Sequence, residues 1–194
     1  MSLRTLIASL ALLCSAAVAN AQTIGNPGPA INLTQIVLGS PMGQSFTAAS
    51  STLLSVGFSF GVLNAGVPSA PVTISLLSGS GTGGALVASR VIDPIEATFD
   101  TPSLTFADFT GTPLTVGTTY TAMVSTSTTH WGVFLTDDTF ADGVAFLQGD
   151  PISIFDFVFE VNGASVVPEP ASGALLAAGA GLFGVAVGRR RRSR

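Results

Sequence analysis

Hydrophobic residues are distributed along this chain in three ways. From Leu6 to Val18 and from Ala171 to Gly188 they run almost unbroken, whereas between those runs they come in short bursts separated by polar and turn-forming residues. In the middle stretch nothing keeps a helical period for long. Alternation in steps of two, with β-branched and aromatic enrichment, recurs instead and predicts strands. These are expected at 31–38, 44–48, 53–60, 72–77, 86–92, 104–109, 119–125, 131–135, 144–148 and 152–161. Gly39-Ser40-Pro41, Asn64-Ala65-Gly66, the Gly-rich 78–84, Gly111-Thr112-Pro113 and Asp142-Gly143 fall between them and supply turn chemistry.

The clearest alternating sets are Phe58 and Phe60, then Val72, Ile74 and Leu76, then Phe155, Phe157 and Phe159. Each set puts one face of a strand inward. About ten strands and an aromatic-rich core predict an all-β domain, two stacked sheets in a jelly-roll-like β-sandwich.

The two unbroken runs predict different things. Arg4, the run to Val18 and the sequence Ala19-Asn20-Ala21 have the order of a secretory signal peptide, with a helical apolar stretch and small residues at the cut. Residues 1–21 are expected to leave, and Gln22 to become the N-terminus. Ala171 to Gly188 is eighteen uncharged residues. As a helix it would be roughly 27 Å long, enough for a single transmembrane span of modest apolarity. Arg189, Arg190, Arg191 and Arg192 follow it, and clustered arginine remains cytoplasmic, which puts the preceding domain outside. The chain therefore divides into a signal peptide (1–21), an ectodomain (22–163), a linker (164–170), a membrane helix (171–188) and a basic tail (189–194).

Charge sharpens this division. Five of the seven basic residues lie at or after Arg189, and all eleven acids lie between Asp93 and Glu169. The segment 22–170 has Arg90 as its single base and a formal charge near −10. An acidic surface repels phosphate, so nucleic acid is not expected as a partner. From Gln22 to Ser89 there is no charge at all. Cys14, the one cysteine, lies in the signal segment, so the mature chain has neither disulfides nor thiol chemistry.

Val167, Pro168, Glu169 and Pro170 precede the span, and the two prolines hold the backbone extended around Glu169. Proline triplet, apolar span and arginine end, in that order, resemble the PEP-CTERM sorting signal of exopolysaccharide-producing Gram-negative bacteria. The resemblance implies an exosortase as processing partner, which would cut near the triplet. It also implies export across the inner membrane, transient anchoring, and a final place at the cell surface or outside. An uncut, single-span anchored protein is the alternative. Gln44 to Thr47, Leu53 to Phe60, Val72 to Leu77, Leu114 to Val124 and Trp131 are similar to the choice-of-anchor β-sandwich modules of bacterial surface proteins. That likeness implies a fold and an extracellular setting, with no catalytic residue.

Candidate chemistry in the ectodomain is sparse. Asp137, Asp138 and Asp142 in one loop are oxygen ligands of the kind Ca²⁺ takes, although they do not follow the EF-hand spacing, and a solvated acidic loop is the simpler expectation. Trp131 and Tyr120 are possible sugar-stacking rings, which makes a carbohydrate-binding module the alternative to a structural or adhesive role linked to exopolysaccharide. Packing in the core competes with that use. One histidine, no lysine and no nucleophile elbow leave only carboxylate pairs such as Asp93 with Glu96 or Asp156 with Glu160 for catalysis. Neither an enzyme nor a cofactor is expected.

Overall fold

The structure, a computed structural model, describes residues 18–167, and side-chain surroundings for residues 21–164. The expected signal helix up to residue 17, the Pro168-Glu169-Pro170 triplet, the membrane helix and the arginine tail lie outside the described residues. No described helix is long and apolar enough to cross a membrane.

Residues Ala21–Ser165 make up one compact unit. The described elements are β1 (Val18–Asn26), β2 (Asn32–Gln35), α1 (Ile36–Gly39), β3 (Met42–Thr47), β4 (Thr52–Val62), β5 (Val72–Ser78), β6 (Leu86–Ile92), β7 (Leu104–Pro113), β8 (Thr119–Thr126), β9 (Trp131–Asp137), β10 (Ala145–Leu147), β11 (Asp150–Ile152), β12 (Phe155–Phe157) and β13 (Phe159–Val167). Six strands form one sheet in the order β11-β10-β3-β8-β5-β6. Seven form the other, β1-β13-β4-β9-β12, with β2 on β9 and β7 on β4.

The alternating sets behave as expected. Phe58, Phe60, Val72, Ile74, Leu76, Phe157 and Phe159 are all fully buried in one core shared by the two sheets, with Phe155 packed against it. Phe58 meets Phe157 edge-on, with ring centres 6.1 Å apart, and Phe159 at 6.2 Å. Such offset and edge geometries suit the quadrupoles of aromatic rings.

Four expectations change, the first being that Gly111-Thr112-Pro113, expected as a turn, continue β7, with Thr112 and Pro113 paired to Leu53 and Thr52. The run 31–38 is a strand only to Gln35. Ile36–Gly39 then make one helical turn that buries Ile36 and Gly39 and leaves Val37 and Leu38 exposed, a spacing that period-two reading misses. The run 152–161 is broken at Val158, where the chain leaves β9 and joins β4: Val158 donates its N–H to Phe134 O and accepts from Ser59 N. Finally, Val18–Ala21, expected to be the end of a signal helix, is extended in β1, and β13 runs on to Val167 through residues expected to be linker.

Arg90 closes one side of the sandwich. Its Nε donates to Asp108 O on β7 at 2.7 Å, and its guanidinium sits 5.2 Å from the centre of the Phe109 ring, so the edges of the two sheets are tied by the ectodomain's single cation. The Asp108 carboxylate is held below its usual pKa, chiefly by its hydrogen bonds from Thr110.

Candidate functional site

The sugar-stacking candidates are placed in the interior. Trp131 is 6% exposed, and its Nε1 donates to Ala70 O at 2.9 Å. Tyr120 is 7% exposed, stacks against Phe46 and accepts a hydrogen bond from Thr115 N through its hydroxyl. The two stand on different sheets, Trp131 on β9 and Tyr120 on β8. Each indole or phenol has its polar atom satisfied by backbone and its ring covered, so neither presents an open face to a sugar. Trp131 contributes only to the wall of a small cleft of about 220 Å³, shared with Ser69, Pro71 and Asp93.

Asp137 ends β9 and Asp138 and Asp142 follow in the loop. Among the described residues, no three His, Cys, Asp or Glu side chains converge as metal ligands would. Asp138 instead lines a half-open cleft of about 440 Å³ with Phe140, Gly143, Val144 and Ile152.

The acid that does gather partners is one the sequence reading treated only as half of a carboxylate pair. Asp156 is completely buried on β12. Its Oδ1 accepts from Gln44 Nε2 at 3.0 Å. Its Oδ2 accepts from Phe140 N at 2.8 Å, Thr139 N at 3.0 Å and Asn26 Nδ2 at 3.3 Å. Gln44 completes the knot by accepting Phe157 N at 3.0 Å. One carboxylate thus joins the first strand, both sheets and the 138–142 loop. A buried carboxylate needs such donors to be tolerable at all. With donors on both oxygens, Asp156 fastens these elements together. Glu160, its proposed partner, accepts from Asn162 Nδ2 on the same strand.

The ends of the ectodomain are the remaining site. β1 and β13 are neighbours in the seven-stranded sheet. Thr23 Oγ1 donates to Asn162 Oδ1 at 2.7 Å, Gly25 faces the backbone of Phe159 and Glu160, and Ile24 and Val161 point into the same core. These contacts place Thr23 beside Asn162 and Gly25 beside Glu160. The expected cut after Ala21 thus falls within β1, the neighbour of β13. A side chain at Gly25 would collide with Phe159 O, so glycine lets the two strands close.

Residues 166–192 match the PEP-CTERM protein-sorting motif. The match covers the Pro168-Glu169-Pro170 triplet, the apolar run and Arg189 to Arg192, so the chain carries a PEP-CTERM sorting motif at its tail. No curated protein and no solved structure matches the chain. The motif implies processing by an exosortase, and with it export and membrane anchoring before the cut.

Proposed function

We propose that this protein is exported with a cleaved signal peptide, held by its C-terminal span, released or transferred by an exosortase, and then acts as a structural or adhesive component of an exopolysaccharide-rich surface. The observation carrying the reading is the sorting motif over residues 166–192. Mass spectrometry of the mature protein from an exosortase-positive cell tests it. The expected chain starts at Gln22 and ends near the triplet. Replacing Pro168, Glu169 and Pro170 by alanine is expected to leave Arg194 in place and the protein in the membrane fraction. Processing at an unchanged site in that variant would overturn the reading.

The adhesive role is supported by the outer face of the six-stranded sheet. Register places Thr73, Ser75, Ser89, Met123 and Ser125 side by side across β6, β5 and β8, with no charge among them. Ser75 and Ser89 hydrogen-bond across the strands at 3.1 Å. On an otherwise acidic domain, this is an uncharged face of hydroxyls together with Met123 and the exposed Val91, which a polyhydroxylated polymer can approach without charge repulsion. Changing Thr73, Ser75 and Ser125 together to glutamate is expected to lower retention on isolated exopolysaccharide about tenfold at low salt. Folding would be checked by an unchanged melting temperature. Equal retention would place adhesion elsewhere.

A further inference from the structure

Taking its ligand class from that adhesive reading, we propose that the outer face of the seven-stranded sheet holds a sugar-binding site, in which Phe106 stacks on an uncharged pyranose ring while Glu160, Asn162 and Asp108 take its hydroxyls. Alternation defines the face. Val56, Phe58, Ala107, Phe109, Phe159 and Val161 are buried in the core, so the residues that alternate with them on β4, β7 and β13 point the other way. Register gathers these into two rows across the three strands. Glu160, Gly57 and Phe106 make one, and Asn162, Ser55 and Asp108 make the next. Neighbouring strands stand about 4.8 Å apart and the two rows about 7 Å, so the site has the area of one or two sugar rings.

Gly57 makes the platform. A Cβ there would meet Phe106 Cδ1 and Cε1 at 2.7 Å and Cγ at 3.1 Å, near-equal distances that a ring face gives and a ring edge does not. The ring therefore lies flat across β4 with one face on glycine backbone, and Phe106 stays 42% exposed through the other. Buried Trp131 and Tyr120 have no such face to offer. The C–H groups on the flat side of a pyranose are weakly positive and match the negative face of an aromatic ring. Polar partners stand beside it, already oriented. Asn162 Nδ2 donates to Glu160 Oε1 at 2.9 Å and to Ser55 Oγ at 3.3 Å, and its Oδ1 accepts from Thr23 Oγ1 at 2.7 Å. Side chains held in place before the ligand arrives lose little further freedom on binding. Asp108 is exposed, and its hydrogen bonds from Thr110 favour the ionised form. Carboxylates beside the ring accept hydroxyl protons in charge-assisted bonds and repel uronate or sulfate, which selects an uncharged polymer. The hydroxyl face of the six-stranded sheet lies across the shared core, so the two faces can be altered separately.

Cellohexaose, an uncharged chain of equatorially substituted pyranoses, is the probe, titrated by calorimetry into the full chain in a detergent without a sugar headgroup. Phe106→Ala is expected to raise the Kd about tenfold. Phe106→Leu covers Gly57 without a π-face and is expected to fail in the same way, with the wild-type melting temperature. Glu160→Gln is expected to raise the Kd about fivefold. Hexagalacturonate is expected to bind about tenfold more weakly than cellohexaose at low salt. Unchanged affinity in Phe106→Ala, full affinity in Phe106→Leu, or equal binding of the two sugars would overturn the site. So would a decaproline peptide that binds through Phe106 where cellohexaose does not. Retention on isolated exopolysaccharide, measured alongside, separates this site from the adhesive reading. A chain retained there that does not bind cellohexaose loses the site and keeps the adhesive role. One that binds cellohexaose through Phe106 without being retained keeps the site and loses that role.

Discussion

Asp156→Ala is expected to destabilise the ectodomain by about 3–5 kcal/mol, a large part of the 5–15 kcal/mol that holds a typical domain together. The estimate follows from what the change strands. Thr139 N, Phe140 N, Gln44 Nε2 and Asn26 Nδ2 all lose an acceptor, and the bonds to Phe140, Gln44 and Asn26 are buried. Asp156→Asn keeps the shape but replaces one oxygen by a donor that faces donors, so it is expected to recover less than half of the loss. Urea unfolding of the mature protein measures both. Amide exchange supplies the local readout, with Thr139 and Phe140 losing protection in either variant. A loss below about 1 kcal/mol for Asp156→Ala would mean that water replaces the carboxylate freely and that β1 is held by its strand pairing alone.

The same residue shows where sequence reading stopped. Phe155, Phe157 and Phe159 could be assigned to one face because alternation is a local property of an extended backbone, and the structure packs them in one core. Asp156 was visible as a charge inside an aromatic run. Its role was not, because its partners lie 16, 112 and 130 residues away in sequence, and no local pattern encodes such closures. β1 was missed for a related reason. Val18–Ala21 reads as the last residue of an apolar run followed by a small-residue cut site, and only pairing with β13 makes it a strand. Trp131 and Tyr120 present the opposite case. An aromatic residue at the start of a strand is equally consistent with a binding face and with the core, and tertiary packing against Ala70 and Phe46 decided for the core. The sorting tail was legible throughout because its meaning lies in composition and order, which require no fold.

Phe58→Ala is expected to cost a further independent 3–5 kcal/mol or so, the range for removing a fully buried aromatic side chain from a packed core. Phe58 is fully buried on β4, opposite Phe159 on one side and Thr105 on the other, and its ring lies within 6.4 Å of those of Phe60, Phe157 and Phe159. Its neighbours are strands fixed by their own ladders, so the space it leaves cannot close by a side-chain shift alone, and the cavity term stays large. Phe99 offers the internal comparison. Its ring meets Phe134 edge-on at 4.9 Å but is half exposed, so Phe99→Ala is expected to cost about 1 kcal/mol. Melting and urea curves on the two variants read the difference directly. Similar losses for both would mean that the outer aromatic cluster over β9, and not the space between the sheets, carries the stability of the fold.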